Sequence, residues 1–431
     1  MWAFSTDSEL ACELEWIDEF VGAEVEPLDY LLGNPHDLEQ DGFERLVRPL
    51  QRDVKERNLW ACHLSAELGG RGLGQVQLAL MAEIFGRARF GPTVFGSQAP
   101  DSGNAEVLAR FGSPAQKERY LGPLLENEIV SCFSITEPQG GSDPTLFRTA
   151  ATEDGGDWVI DGEKWFATSA RYAAFLIVMA VTDPEAERHG RHSLFIVPKG
   201  TPGVEIVRNL GFTGEAEPAH AHLRFDGVRV PAENMVGGRG EAFAVAQARL
   251  AGGRLHHAMR TIALAQRALD MMCERAKSRH TQGGALADKQ MVQEKIADGW
   301  IALRQLRLLI LETAWLMDTS DDKRLIRKHI SAVKATAPGV LQQVASASLQ
   351  VHGSMGLSTE MPFIEWIAQG IRVGLSDGPT DVHKTVVARE VLRGIEPGDE
   401  SFPSYYRPFE RERAVAYDAA HGAPAGEEAS R

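Results

Sequence analysis

Cysteine is scarce: Cys12, Cys62, Cys132 and Cys273 are the only four in 431 residues, and they stand far apart with no Cys-x-x-Cys pair. That excludes a disulfide framework and leaves the expectation of buried thiols in a reducing compartment. Positive charge is in deficit, with 45 Lys and Arg against 60 Asp and Glu and a net charge of -15. Nothing offers a basic face to neutralise phosphates, so neither nucleic acid nor an anionic membrane surface is expected as the main partner. Small anionic ligands stay open, because they need only a few local Arg, Lys or backbone N–H groups. No apolar run reaches membrane-spanning length; the stretch 175–181 is among the longest and is strand-sized. The N-terminus is acidic, with no basic region ahead of an apolar stretch. No signal peptide is expected, and the expected location is cytoplasmic. No internal repeat is found.

What is present has ordinary globular texture, 43% hydrophobic and 24% charged, enough for a sizeable core. Apolar residues at helical spacing over 9–22, 41–57, 75–87 and 104–111 predict helices up to about residue 130. Ser113, followed by Pro114, reads as an N-cap with proline in the first turn. Residues 131–237 are rich in turns and short β-like runs. The Asp161-Gly162 pair predicts a hairpin turn, and 175–181, 193–197, 204–207 and 222–228 continue the pattern. This reads as a small antiparallel barrel or sandwich.

From about 241 the helices return. Leu255, Ala258, Met259, Ile262, Ala265, Leu269 and Met272 share one helical face. Val292, Ile296, Gly299, Leu303, Leu306, Ile310, Thr313 and Met317 step by fours and threes, the seam of an antiparallel bundle. Segments 326–350 and 380–394 give two more helices. The polar stretch after about 396 reads as a loosely held or partly disordered arm. The expected fold class is α+β, mostly α. It comprises a helical domain over 1–130, a β-domain over 131–240, a four-helix bundle over 241–395 and a tail over 396–431.

Five stretches could carry chemistry. In Ser131–Asp143 a strand ends in Gly140-Gly141-Ser142-Asp143, either a tight turn or a loop whose N–H groups approach an anion. In Lys164-Trp-Phe-Ala-Thr168, Phe166 and Thr168 share a strand face, as a core pair or as the edge of a planar-cofactor site. Gly252-Gly-Arg-Leu-His-His257 at a helix start is an anion site or solvated surface. Metal binding by His256 and His257 is not expected, since adjacent helical residues point about 100° apart. His189 and His192 lie in a loop region without further ligands, and no metal is expected there either. Gln350-Val-His-Gly-Ser-Met-Gly356 alone is a helix C-cap. Finally, in Leu375-Ser-Asp-Gly-Pro-Thr-Asp-Val-His383, Asp377-Gly-Pro stops whatever precedes it and Thr380 reads as the N-cap of a helix.

These segments, in this order and at this spacing, resemble the acyl-CoA dehydrogenase family over roughly residues 40–395. The resemblance implies an acyl-CoA substrate and FAD held between the β-domain and the bundle. It places Phe133, Ile135, Thr136, Gly141 and Ser142 on the cofactor, with Thr136 on the flavin ring and Ser142 near both the pyrophosphate and the thioester. Lys164-Trp-Phe-Ala-Thr168 is similar to the second flavin segment: Phe166 against the ring, Ala167 beside it and Thr168 at the N5/O4 edge. Arg279 would reach the FAD pyrophosphate of a neighbouring subunit, which implies a homodimer or homotetramer. The family usually has Phe where this chain has Gln282. Gln290, Gln350 and Gly353, and Pro379, Thr380 and Asp381 after the acid, complete the implied cofactor contacts.

The same resemblance makes Asp377 the base that removes the α-proton. Most members have Glu-Gly-Thr at this point. A minority branch, some of it fused to a kinase-like domain, has Asp-Gly-Pro, and the run from Gly253 through Ala265 is also very like that branch. Other members carry the base at the position of Gly253, which has no side chain to serve. The implied reaction is α,β-dehydrogenation in fatty acid β-oxidation. Flavin N5 takes the β-hydride and electrons pass to an electron-transfer flavoprotein. Ser142, Arg254 and Gly378 would contact substrate. The N–H of Asp377 and a ribityl hydroxyl would form the oxyanion hole, and a dry pocket would raise the carboxyl's pKa. Two alternatives remain: an O2-using acyl-CoA oxidase or nitroalkane-oxidase-like enzyme on the same fold, and a catalytically silent binding subunit.

Overall fold

A computed structural model of the chain describes residues 8–68, 70–212, 218–398 and 400–421, with backbone alone over 250–254. It opens with helices α1 (Ser8–Phe20), α2 (Phe43–Glu56), α3 (Gln75–Phe85) and α4 (Asp101–Phe111). Helix α2 shows how the pattern dictates burial. Phe43, Val47, Leu50 and Val54 recur every three or four residues and all are buried, while the charged positions between them face outward. Ser113 caps the next turn in both directions. Its hydroxyl accepts from the Gln116 N–H at 3.3 Å, and its own N–H donates to Gln116 Oε1 at 3.0 Å.

One eight-stranded sheet follows: β1 (Ser131–Ser134), β2 (Ala150–Asp154), β3 (Asp157–Thr168), β4 (Phe175–Val181), β5 (His192–Pro198), β6 (Val204–Leu210), β7 (His220–Pro231) and β8 (Met235–Val236). The order is β6-β7-β3-β2-β4-β5-β8, with β1 added beside β4. The sheet is mixed rather than wholly antiparallel, because β1 and β2 each run parallel to β4. It curls over a core of its own: Trp158 on β3 and Phe195 on β5, two strands apart, bring their rings to 5.4 Å. Strand β4 is apolar throughout because both its faces are covered. Leu176, Val178 and Ala180 face the sheet's own core. Phe175, Ile177 and Met179 pack on Leu108 and Val107 of α4, and with Val245.

The Asp161-Gly162 pair does not make the expected hairpin turn. Strand β3 runs straight through it, with a bulge between Ile160 and Gly162. The turn lies at Gly155-Gly156, whose φ values of +65° and +93° suit a two-residue loop. Gly162 serves the bulge instead, at φ +144°.

The bundle comprises α5 (Ala242–Ser278), α6 (Gln290–Thr319), α7 (Lys323–His352), α8 (Phe363–Leu375) and α9 (Thr380–Leu392). Both expected stripes face inward. The stripe residues Leu255, Ala258, Met259, Ile262, Ala265, Leu269 and Met272 are buried, and Leu303, Leu306 and Ile310 on α6 are too. A Cβ at Gly299 would stand 3.4 Å from Leu269 Cδ1, so the glycine lets α5 and α6 close up. Helix α8 was not expected; its two glycines, Gly370 and Gly374, lower helix propensity but seat it against Pro338 of α7. The arm after 396 was expected to be loose, yet it holds α10 (Arg407–His421), a helix with no buried residue. Cys12 is exposed rather than buried, and Cys273 is half-buried. Among the described residues no helix is long and apolar enough to cross a membrane.

An added Cβ at Gly162 would fall 2.6 Å from Thr149 Cα and Oγ1, at a φ that other residues rarely adopt. Gly162→Ala is therefore expected to cost more than about 1 kcal/mol of stability, measured by urea denaturation, while Gly155→Asn in the solvent-facing turn costs little.

Candidate active site

Two chain segments meet at the end of the sheet. The first leaves β1 and runs through Ile135, Thr136 and Glu137; the second is the end of β3, Lys164 to Thr168. They are joined by a fully buried ion pair. Lys164 is 0% exposed and Glu137 2%, and Lys164 Nζ lies 2.8 Å from Glu137 Oε1. The same ammonium donates to the Ile135 carbonyl at 2.8 Å, and the Trp165 N–H donates to the Thr136 carbonyl at 2.8 Å. Glu137 also accepts from the N–H groups of Arg148 and Thr149, at 2.6 and 3.0 Å. Burial alone would raise the Glu137 pKa, but Lys164 and these donors outweigh it and hold the carboxyl below its usual range. Burial pulls the Lys164 ammonium down to about 8, against the pull of Glu137.

This scaffold presents a half-open surface. Phe166 sits at φ +52° with its side chain 42% exposed, an unusual conformation for an aromatic residue. Its ring stacks on Phe212 at 5.5 Å. Thr168 Oγ1 lies 3.0 Å from His220 Nδ1. Ala167 points the other way, into the sheet core. Gly141 and Ser142 are exposed, and a Cβ at Gly141 would touch only Thr136 Cγ2, at 3.9 Å, so the loop can be approached closely.

The second half of the site is the turn between α8 and α9. Asp377 and Gly378 both have positive φ, +54° and +99°. Aspartate is among the few side chains that tolerate this region, and glycine is free in it. The last carbonyls of α8 are met by side chains. The buried Lys334 ammonium donates to the Val373 carbonyl, and the Thr380 hydroxyl to that of Gly374 at 3.2 Å. Thr380 is thus not the N-cap of α9; Pro379 occupies that position and leaves the Thr380 hydroxyl to close the previous helix. Beneath the turn, buried His383 lies 3.3 Å from the Asp377 carbonyl and 3.3 Å from Ser331 Oγ. A Cβ at Gly378 would meet His383 Nε2 at 3.0 Å.

The Asp377 carboxylate is 31% exposed and lies 3.8 Å from His257 Nε2 on α5. Burial and nearby Arg260 hold the His257 imidazole below its usual pKa, though Asp377 opposes them. At neutral pH His257 is therefore a neutral neighbour and not a counter-charge. A cation on the same helix is Arg249. Its guanidinium lies 4.3 Å over the Phe133 ring and donates to Asn104 Oδ1 at 3.0 Å. Burial lowers the Arg249 pKa, and among the acids acting against that shift Asp377 contributes most. Together with His257 beside Asp377, Arg249 over Phe133 makes α5 the helix that meets both halves of the site. Sequence reading missed Arg249, although an arginine in an otherwise apolar helix run is a visible signal. It also misjudged the run from Gly252 to His257, which lies inside α5 and not at a helix start. His256 and His257 diverge as expected, His256 toward His63 at 6.4 Å between ring centres. The side chain of Arg254 lies outside the described residues.

The other residues expected at the cofactor lie elsewhere. Arg279 is exposed at the C-terminal end of α5, before a small hairpin with Gln282 and Gly283 at its turn. His257 and Ser278 are both on α5, about 32 Å apart along its axis at 1.5 Å per residue. Gln290 at the start of α6, and Gln350 and Gly353 at the end of α7, are exposed too. Asp381 is exposed in the first turn of α9. The clamp between Lys164 and Glu137 thus sets Thr136 beside the Trp165–Thr168 segment, while Arg279 lies far from Asp377 along α5.

Residues 14–128, 132–228 and 240–392 match the N-terminal, middle and C-terminal domains of acyl-CoA dehydrogenase. The chain belongs to the acyl-CoA dehydrogenase family. It is 38% identical over 378 residues to acyl-CoA dehydrogenase family member 11 of Mus musculus, covering 86% of this chain and 48% of that protein. The chain thus spans about half the length of such curated relatives. It is also 38% identical over 352 residues to "Probable acyl-CoA dehydrogenase FadE2" of Mycobacterium tuberculosis, covering 80% of this chain and 86% of that one. Among solved structures, that of glutaryl-coenzyme A dehydrogenase with glutaryl-CoA superposes with a TM-score of 0.78 at 26% identity, over 91% of this chain and 97% of that one.

Because Lys164 and Glu137 are both buried, removing one strands the other. Lys164→Met or Glu137→Gln is expected to cost about 3–5 kcal/mol, and the double variant less than the sum, measured by chemical denaturation. The low pKa of Glu137 sets the pH dependence: its contribution is complete above the ordinary value of 4.5 and is lost as pH falls through the depressed folded value. The melting-temperature gap between wild type and Glu137→Gln should therefore narrow below that pH.

Proposed function

We propose that this acyl-CoA dehydrogenase family member binds FAD and catalyses the α,β-dehydrogenation of an acyl-CoA thioester. The observation that carries this is the placement of Asp377. A carboxylate is held at a left-handed turn, 3.8 Å from His257 on α5, the same helix that sets Arg249 over the Phe133 ring. The residues suit a flavin: an exposed aromatic face at Phe166, hydroxyls at Thr136 and Thr168, and an approachable loop at Gly141-Ser142. FAD, when bound, supplies the hydride acceptor.

The chain's own residues do the rest. Asp377 takes the α-proton as general base, and Arg249 supports its charged form from across the site. Neutral His257 borders the carboxylate without competing as a cation. The backbone N–H of Asp377 faces the thioester carbonyl as enolate charge develops on it. Gly378, Ser142 and Arg254 contact the substrate. Pro379, Thr380 and Asp381 approach the cofactor from the start of α9. Electrons leave to an electron-transfer flavoprotein, and the protein acts in fatty acid β-oxidation. Arg279, Gln290, Gln350 and Gly353, displaced from Asp377 within one chain, complete the FAD site of a neighbouring copy in a homodimer or homotetramer.

The test is anaerobic flavin bleaching with a panel of acyl-CoAs, on wild type and Asp377→Asn. Bleaching of wild type by some thioester, with at least about a thousandfold slower reaction in the variant, is the expected result. FAD-loaded protein that bleaches with no acyl-CoA overturns the reading. Rapid reoxidation of bleached enzyme by air would assign it to the O2-using branch.

A further inference from the structure

Thr168 and His220 are directly opposed partners, the last residue of β3 and the first of β7. Opposed residues on an antiparallel pair share a face, and these two meet at 3.0 Å between Oγ1 and Nδ1. The His220 ring is set by two aromatic neighbours. It lies edge-on to Phe212 at 4.7 Å and to Phe166 at 6.1 Å, and those two stack on each other. Thr168 cannot rotate away without losing this partner.

A threonine hydroxyl has one proton and can accept while it donates. If His220 Nδ1 were bare, the Thr168 proton would be spent on it. If Nδ1 carries the proton, it donates to Thr168 Oγ1, and the hydroxyl proton is directed outward. On the reading above, Thr168 faces the flavin N5 edge, and N5 of the oxidised ring is an acceptor. Only the second arrangement leaves the Thr168 hydroxyl proton for N5. We infer that His220 is a positioning residue for the cofactor: it donates from Nδ1 to Thr168 and fixes that hydroxyl as the donor to the flavin. This inference rests on the proposed FAD site.

The experiment is a double-mutant cycle read by FAD affinity, from fluorescence titration of the apoprotein. His220→Phe keeps the ring contacts and removes the donor. It is expected to weaken FAD binding about tenfold in the wild-type background, the worth of one hydrogen bond, and less than about twofold in Thr168→Val. His220→Asn, whose amide can donate from the same place, should remain within about threefold of wild type. Should His220→Phe fail to fold, His220→Leu takes its place against His220→Asn. Equal losses in both backgrounds, or wild-type affinity in His220→Phe, overturn the inference while leaving the FAD reading intact. Wild-type apoprotein that takes up no FAD overturns both.

Discussion

Much of the site hangs on one buried ammonium. Lys164 bonds to Glu137 and to the Ile135 carbonyl, and so clamps the segment leaving β1 to the end of β3. Everything proposed to touch a flavin from the β-domain lies within a few residues of that clamp: Thr136 on one side, Phe166 and Thr168 on the other. An apolar pair could hold two strands together with less desolvation cost. It could not also fill the lone pairs of a carbonyl at a strand end. The ion pair survives burial because nearly every polar atom in it has a partner, from the Arg148 and Thr149 N–H groups to the Gln139 amide.

The opposite wall uses a different device. Helix α8 ends where side chains from elsewhere take its last carbonyls, Lys334 from α7 and Thr380 from α9. The chain must then reverse within three residues, and it does so through two consecutive left-handed positions followed by Pro379. The Asp377 carboxylate thus sits on an irregular turn between two helices, supported from below by His383 and Ser331. Rigidity comes from the helices and position from the turn.

Much of this was legible in the sequence. The stripes from Leu255 to Met272 and from Gly299 to Ile310 gave the bundle because helical periodicity and burial coincide there. The motif segments pointed to the family, which the matches over its three domains show. What could not be read was set by tertiary contact. The Asp161-Gly162 pair has the chemistry of a turn, but β7 pairs across it and makes it a bulge. Helix α8 was hidden by glycines whose use is to seat against Pro338. Arg249 and His220 carry no motif; their roles come from Phe133, Asn104 and Thr168, which folding alone brings beside them.

The left-handed aspartate has an evolutionary consequence. Its backbone conformation suits glycine or asparagine better than aspartate, so the fold itself does not ask for a carboxylate at residue 377. On the proposed mechanism, stability and catalysis pull this position in opposite directions. A lineage released from selection for turnover would drift here first, toward a firmer and inert protein. On that mechanism, an acid at residue 377 marks a chain kept for turnover and not for firmness.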